Sequence, residues 1–263
     1  MTSYTVTATN SNGDNGIDLQ VEVITGATEA GGAHLEIDNG IVNGTGAGTA
    51  FTGSLTPVST GSFIAWAASD AEGTATGVVA AANNKLLTVA ANTDSFQDTA
   101  NGFAAGAGYY SGTVTSGSGV TVGSSNTAGG AAPQLAVYEI QPSGGAWAED
   151  ASTPAWVKVT GSNAATTASF TPPAGGAVLA AIVTCNFGSS NTGNKITVSS
   201  SPSLTWTLRA SNSLQANNGG VAIYTATVAA TITSGPALPQ QYMGSRPAVV
   251  VSGAGWRGAN HSR

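Results

Sequence analysis

Charge is scarce in this chain. Only 8% of its 263 residues are Asp, Glu, Lys or Arg, against roughly a quarter in an average globular domain. The seven basic residues are scattered along the sequence, and the formal net charge is −6. Because nucleic-acid binding needs a basic surface that neutralises phosphates, this composition excludes it.

Cysteine and histidine are almost absent, which limits metal and redox chemistry. Cys185 is the one cysteine, so no intrachain disulfide can form, and its place after an apolar run predicts a buried side chain. Neither HExxH nor CxxC occurs, which excludes the usual zinc spacings. His34, Glu36 and Asp38 alternate in one short segment, and we interpret them as a solvated polar strand face. We expect no cofactor and no metal.

The sequence also lacks long apolar segments. Residues 1–6 show neither the basic nor the apolar region of a signal peptide. No apolar run approaches the roughly 20 residues that span a bilayer. We therefore expect a protein that is made in the cytoplasm, carries no signal peptide and does not contact a membrane.

Small residues and alternating patterns are what the chain has in abundance. It contains 36 glycines, which disfavour helices. Strand-like segments recur between Gly-, Asn- and Ser-rich turns; Leu19, Val21 and Val23, for example, alternate with polar residues. Many short strands at close spacing predict an all-β fold of the sandwich type, either jelly-roll-like or Ig-like.

Internal repetition indicates how these strands are organised. A Phe-Thr segment precedes an apolar strand both at Phe51 and at Phe170, and a lysine-led strand follows at Lys85 and at Lys195. A Ser-Asn turn followed by an apolar strand occurs three times. Such repetition predicts two tandem β-sandwich domains. Their predicted ranges are 1–142 and 143–234, followed by a C-terminal extension over 235–263.

The extension contains one more candidate strand. It runs from Ala248 to Val251 and could pair either with the second domain or with a neighbouring subunit.

Residues in catalytic patterns are missing. The sequence has no GxSxG, no P-loop and no GxGxxG followed by a helix. Its acidic residues are dispersed, and Asp94 and Asp98 have no acidic counterpart near Trp206 in the other repeat. We therefore expect a non-enzymatic protein. The acidic residues weighed as a hydrolytic pair are Glu22, Glu36, Glu72, Glu139, Glu149, Asp70, Asp94, Asp98 and Asp150.

Two segments suggest ligands. Residues 12–18 alternate oxygen-bearing side chains, as a calcium loop does, but lack its bidentate Glu, so we interpret them as an Asx turn. Tyr109 and Tyr110 lie in a glycine-rich segment and are the candidate ligand contacts. The alternative is that both tyrosines pack as core or loop anchors.

The Ala-, Gly-, Thr- and Ser-rich composition and short sequence patterns of the chain resemble those of virion structural proteins of tailed phages that infect high-GC actinobacteria. The resemblance is carried by the opening 4–10 and 19–27, and by the segments 149–152, 168–173, 204–207 and 255–260. It implies a non-enzymatic part of the particle surface, such as a capsid decoration, head-fibre or minor tail protein. Its partners would be other virion proteins, capsid or tail subunits, and further copies of itself. It supplies no functional residues.

The alternative function is a carbohydrate-binding, adhesin-like module that recognises a host surface glycan. A polysaccharide or peptidoglycan hydrolase is the least favoured, because the carboxylates are scattered.

Overall fold

The computed structural model describes residues 1–230 except 12–15, 30, 39–47, 72–77, 88–95, 99–102, 131–132, 187–194 and 213–218. The regular structure within these ranges consists of β-strands, which confirms the all-β prediction. None of the described segments is a helix long and apolar enough to cross a membrane. The predicted extension 235–263, with its candidate strand, lies outside the described residues.

Nineteen strands occur in the described part of the chain. They are β1 (Thr5–Asn10), β2 (Gly16–Thr25), β3 (Ala27–Thr28), β4 (His34–Asp38), β5 (Gly48–Leu55), β6 (Phe63–Ala71), β7 (Val78–Ala80), β8 (Asn84–Leu86), β9 (Phe96–Asp98), β10 (Phe103–Tyr110), β11 (Val120–Gly130), β12 (Pro133–Pro142), β13 (Ala148–Glu149), β14 (Val157–Thr160), β15 (Ala164–Thr166), β16 (Ala177–Asn186), β17 (Ile196–Ser201), β18 (Thr207–Asn212) and β19 (Gly219–Val228).

The strands form four antiparallel sheets. Sheet A has the order β15-β1-β17, and sheet B has the order β13-β2-β16-β19-β18 with β14 also on β2. Sheet C has the order β3-β12-β6-β10-β8, with β4 on β12 and β9 on β10, and sheet D has the order β5-β11-β7. Each sheet therefore combines strands that are distant in sequence.

Three apolar cores separate these sheets. The first lies between sheet A and one face of sheet B, and includes Val6, Leu19, Leu179 and Ile196. The second lies between the opposite face of sheet B and sheet C, and includes Ile24, Phe63, Ile140, Ile182 and Ile223. The third lies between the other face of sheet C and sheet D, and includes Leu55, Trp66, Val122 and Val137. The sheets consequently stack in the order A, B, C, D.

Burial on both faces explains the composition of the central strand β16. Sheets B and C each contact a core on either side, and every described residue of β2 from Gly16 to Ile24 is buried. Strands buried on both faces are near-continuous apolar runs rather than alternating ones, as in β16. The sequence predicts half-buried strands, and the structure differs because a second sheet covers their outer face.

The same order of pairing occurs in both pairs of sheets. We call sheets A and B the terminal sheet pair and sheets C and D the inserted sheet pair. In the inserted pair β6 lies between β12 and β10, and β11 is the centre of the outer sheet. In the terminal pair β16 lies between β2 and β19, and β1 is the centre of the outer sheet. The N-terminal strands β1 and β2, which lie in different sheets, thus take the places that β11 and β12 take in the inserted pair. We call these two strands the β1–β2 segment.

This pairing bears on the predicted division of the chain. β12 ends at Pro142, close to the predicted boundary. However, β1 and β2 pair with β14 to β17, which follow that boundary. The pairing does not confirm separate domains 1–142 and 143–234. Met1–Thr231 instead forms one compact unit.

Candidate functional site

A row of polar side chains lies along one face of β2. Asp18, Gln20 and Glu22 alternate with the core residues of this strand, and their exposed fractions are 6%, 6% and 2%. Gln20 Nε2 donates to Glu22 Oε1 at 2.6 Å. Thr184 on β16 donates its hydroxyl hydrogen to Asp18 Oδ2 at 3.2 Å. We call these three residues the β2 polar row.

Burial changes the protonation of Glu22. Loss of hydration and, to a smaller extent, the nearby Glu149 carboxylate raise its pKa to about 7 against the opposing hydrogen bond from Gln20. A low-dielectric surrounding penalises the charged form of a carboxyl group. Glu22 is therefore largely protonated in mildly acidic solution.

Asp18 behaves in the same direction. Burial raises the pKa of its carboxyl group well above the usual value, against the hydrogen bond from Thr184 and the charge of Lys158. Lys158 lies directly across from Asp18 in the β2–β14 register. Two carboxyl groups of the same strand are thus buried with raised pKa values.

The spacing of the two acids bears on their chemistry. Asp18 and Glu22 are four residues apart in one strand, which separates their Cα atoms by about 13 Å. Carboxyl pairs in glycosidases are about 5 to 10 Å apart. Gln20 fills the space between them and binds Glu22. The row is therefore suited to taking up protons as pH changes rather than to acting as a glycosidase pair.

Glu139 on β12 holds two loops. Its carboxylate accepts hydrogen bonds from the backbone N–H groups of Ala33, Val58 and Ser59 at 2.9 to 3.1 Å, and from the Ser62 hydroxyl at 2.6 Å. Burial by itself raises the pKa of Glu139, but these donors outweigh it and hold the pKa below the usual value. The charged carboxylate thus fixes the segments before β4 and before β6 against sheet C.

A second polar group joins sheet B to sheet C. Arg209 on β18 forms an ion pair with Glu29 at 3.1 Å and donates from Nε to Thr225 Oγ1 at 2.7 Å. Its guanidinium lies 5.4 Å from the centroid of the Tyr138 ring, and the Tyr138 hydroxyl donates to the backbone oxygen of Glu29. One arginine therefore contacts strands of both sheets.

The predicted ligand contacts Tyr109 and Tyr110 lie at the end of strand β10. Both are partly buried. Tyr109 stacks on Phe63 at 5.6 Å between centroids and packs on the core between sheets B and C. Tyr110 packs on the core between sheets C and D. These contacts are those of the anchor alternative, and ligand binding by either tyrosine stays a prediction.

The other predicted polar positions do not converge. His34 and Glu36 are exposed on β4, and Glu36 accepts a hydrogen bond from the Ser211 backbone N–H at 2.7 Å. Cys185 is fully buried. Among the residues that the structure describes, no three His, Cys, Asp or Glu side chains form a group that could hold a metal ion. Residues 12–15 of the calcium-like turn, as well as Glu72 and Asp94, lie outside the described residues.

Sheet A presents a face of hydroxyl groups. Cross-strand rows align Thr7 with Thr166 and Ser199, and Thr9 with Thr197. The Thr7 and Thr166 hydroxyls are 2.9 Å apart. None of the residues in β1, β15 and β17 is charged. We call this surface the hydroxyl face.

Sequence reasoning missed Arg209 and the bracing role of Glu139. Glu139 could have been found, because an acid between Tyr138 and Ile140 in an apolar strand needs buried donors. Arg209 carries no comparable signal, since its partners come from segments distant in the chain.

Comparisons with known proteins identify no relative: no family model, no curated protein and no solved structure matches this chain.

Proposed function

We propose that this chain is a non-enzymatic structural protein of a bacteriophage virion surface. It would act through protein–protein contacts, as a capsid decoration, head-fibre or minor tail protein. The phage assignment rests on the resemblance of its segments to actinobacterial phage virion proteins. Its proposed partners are capsid or tail subunits and further copies of itself.

The hydroxyl face is the observation that carries the structural role. It is formed by β1 from the start of the chain and by β15 and β17 from its second half. An interface of neutral side chains avoids the cost of removing charges from water. Interface cores are depleted in charged residues, and this face fits that description.

The buried polar groups support the same proposal. Glu139 fixes two loops and the half-buried Arg209 joins two sheets, so these two side chains brace the fold. A particle component must keep its shape while it makes many contacts. We propose that the two sheet pairs are β-sandwich domains, either jelly-roll-like or Ig-like, and that the terminal sheet pair combines strands from both ends of the described chain.

The Ser199→Arg variant tests the hydroxyl face. Ser199 is exposed on β17, so an arginine there can be accommodated without disturbing the core but places a charge in the proposed interface. We expect its incorporation into purified particles to fall at least roughly tenfold, the factor that about 1.4 kcal/mol represents. Ser118→Arg is the matched control, because Ser118 is exposed outside this sheet. Equal incorporation of both variants would contradict the role of this face.

A further inference from the structure

The terminal sheet pair depends on two strands from the N-terminal part of the chain. In the inserted pair, β11 and β12 directly follow β10 in sequence. In the terminal pair, β1 and β2 take the corresponding places, although they precede β13 by more than a hundred residues. Strands β13 to β19 therefore form an incomplete sheet pair that the β1–β2 segment must complete.

The β1–β2 segment supplies the central strand of sheet A and an inner strand of sheet B. In the described part of the chain, β15 and β17 pair with β1 alone. Val6 on β1 and Leu19 and Val23 on β2 are completely buried in the first core. β2 is aligned with β16 over eight paired residues. Without the β1–β2 segment, Leu179 and its neighbours on β16 would be exposed to solvent.

A one-residue bend connects the β1–β2 segment to the rest of the chain. β2 ends at Thr25 and β3 begins at Ala27, so Gly26 alone turns the chain. Its φ is +67°, and a Cβ built there would lie 2.7 Å from the backbone oxygen of Ala146. A side chain at residue 26 is therefore disfavoured by both conformation and space.

A groove of about 260 Å³ borders the bend and is lined by small residues that include Gly176 and Ala230. If the backbone at residue 26 becomes extended, the β1–β2 segment moves away from strands β13–β19 of its own chain. Every contact that it loses is available on the same strands of another copy. Glycine adopts this φ without strain. A strained short connection favours this kind of exchange, and a side chain at residue 26 would introduce such strain.

We propose that the β1–β2 segment is exchanged between copies, so that the segment of one chain completes the terminal sheet pair of a second. The partner is thus another copy of this protein. This inference rests on the proposed structural role and deepens it, since it names the contact through which copies join.

Paired cysteines test the exchange on the full chain. Thr9 and Thr197 are register partners between β1 and β17, at a separation that a disulfide can bridge. A Thr9→Cys chain and a Thr197→Cys chain are unfolded, refolded together and oxidised. We expect a disulfide-linked dimer that contains one of each chain. A mixture of Thr9→Cys with Ser118→Cys is the control and should give little such dimer.

A hinge variant tests the cause. Gly26→Ala should raise the oligomer fraction, measured by light scattering after gel filtration, by roughly tenfold over wild type. Gly61→Ala is the matched control, because Gly61 has a similar φ of +76° and open space around it. It should leave the oligomer fraction unchanged.

Either of two results would overturn the inference. One is a mixture of folded Thr9→Cys and Thr197→Cys chains that gives no more mixed dimer than the control mixture. The other is a Gly26→Ala chain that oligomerises no more than Gly61→Ala. If the protein is nevertheless found on particles, exchange of the β1–β2 segment is ruled out while the proposed function stands.

Discussion

Individual buried carboxyl groups set how this protein responds to pH. Glu22 and Glu139 are both buried acids in central strands, yet their pKa values move in opposite directions. The difference lies in hydrogen bonding: Glu139 accepts from several donors, whereas Glu22 has Gln20 as its donor and Glu149 nearby. Desolvation prevails at Glu22 and hydrogen bonding prevails at Glu139.

We predict that Glu22 makes the protein less stable as pH rises. Its pKa is about 7 in the folded state and about 4.5 ordinarily, so folding favours the protonated form. The stability is fully present below about pH 4.5 and is lost as pH rises through about 7. The loss is about 3 kcal/mol. Urea denaturation at a series of pH values measures it.

The Glu22→Gln variant provides the control for this prediction. Glutamine keeps the shape without the titrating proton, so the free energy of unfolding should change less between pH 5 and 8 than in wild type. An unchanged pH dependence in the variant would assign the effect to other groups.

Glu139 should give the opposite dependence. Because its folded pKa is lowered, the stability that it supplies is present above its ordinary pKa of 4.5 and is lost as pH falls through the lower folded value. Glu139→Ala leaves the N–H groups of Ala33, Val58 and Ser59 without this acceptor. We expect a loss of about 2–4 kcal/mol in the free energy of unfolding at pH 7, measured by urea denaturation. A loss below about 1 kcal/mol would contradict the bracing role.

Sequence patterns predict burial at this scale better than they predict partners. Trp66 sits in an apolar pattern and is completely buried. Tyr109 and Tyr110 sit among glycines, a composition typical of a loop, yet they pair in β10 with Ala65, Lys85 and Asn84. The pairing comes from distant strands that local composition does not encode.

At the scale of elements, close approach between strands and side chains fixes the core of sheets C and D. Gly108 on β10 lies against the ring of the buried Trp66. A Cβ at residue 108 would be 2.0 Å from Trp66 Cζ2 and 2.5 Å from the Lys85 backbone oxygen. The glycine is therefore required by packing, and its φ is not in the left-handed region.

We expect Gly108→Ala to lower the free energy of unfolding by about 3 kcal/mol, since overpacking forces the indole and the strand apart. Thermal unfolding followed by tryptophan fluorescence measures it. Gly145→Ala serves as the matched control, because a Cβ there meets no atom within 4 Å, and its effect should stay within about 0.5 kcal/mol. Equal stability of the two variants would mean that the ring moves without cost.

Strand positions are partly readable from the sequence. The alternation of Leu19, Val21 and Val23 correctly predicts one shared face, which packs on the first core. The alternation of apolar residues predicts a further strand from Leu204 to Arg209, but the strand begins at Thr207, and Leu208 is 41% exposed. Leu204 and Trp206 still pack on the core, so their apolar spacing reports burial without a strand.

At the scale of the whole molecule, the stacking of four sheets is the feature that sequence reasoning did not reach. Composition and turns predict an all-β protein. They do not specify that β2 pairs with β16, more than 150 residues later. The repeated Phe-Thr segments precede β6 and β16, which occupy matching places in the two sheet pairs. The third Ser-Asn copy precedes β19, whose counterpart is β10 rather than β12.

The central claim is that this chain is a structural component of a phage particle. Cryo-electron microscopy of purified particles, combined with mass spectrometry of the same sample, tests it most directly. We expect the chain in many copies at regular positions on the capsid or tail, with the hydroxyl face or the β1–β2 segment at a subunit contact. Particles that lack the chain, with the protein present only as free molecules, would contradict the account.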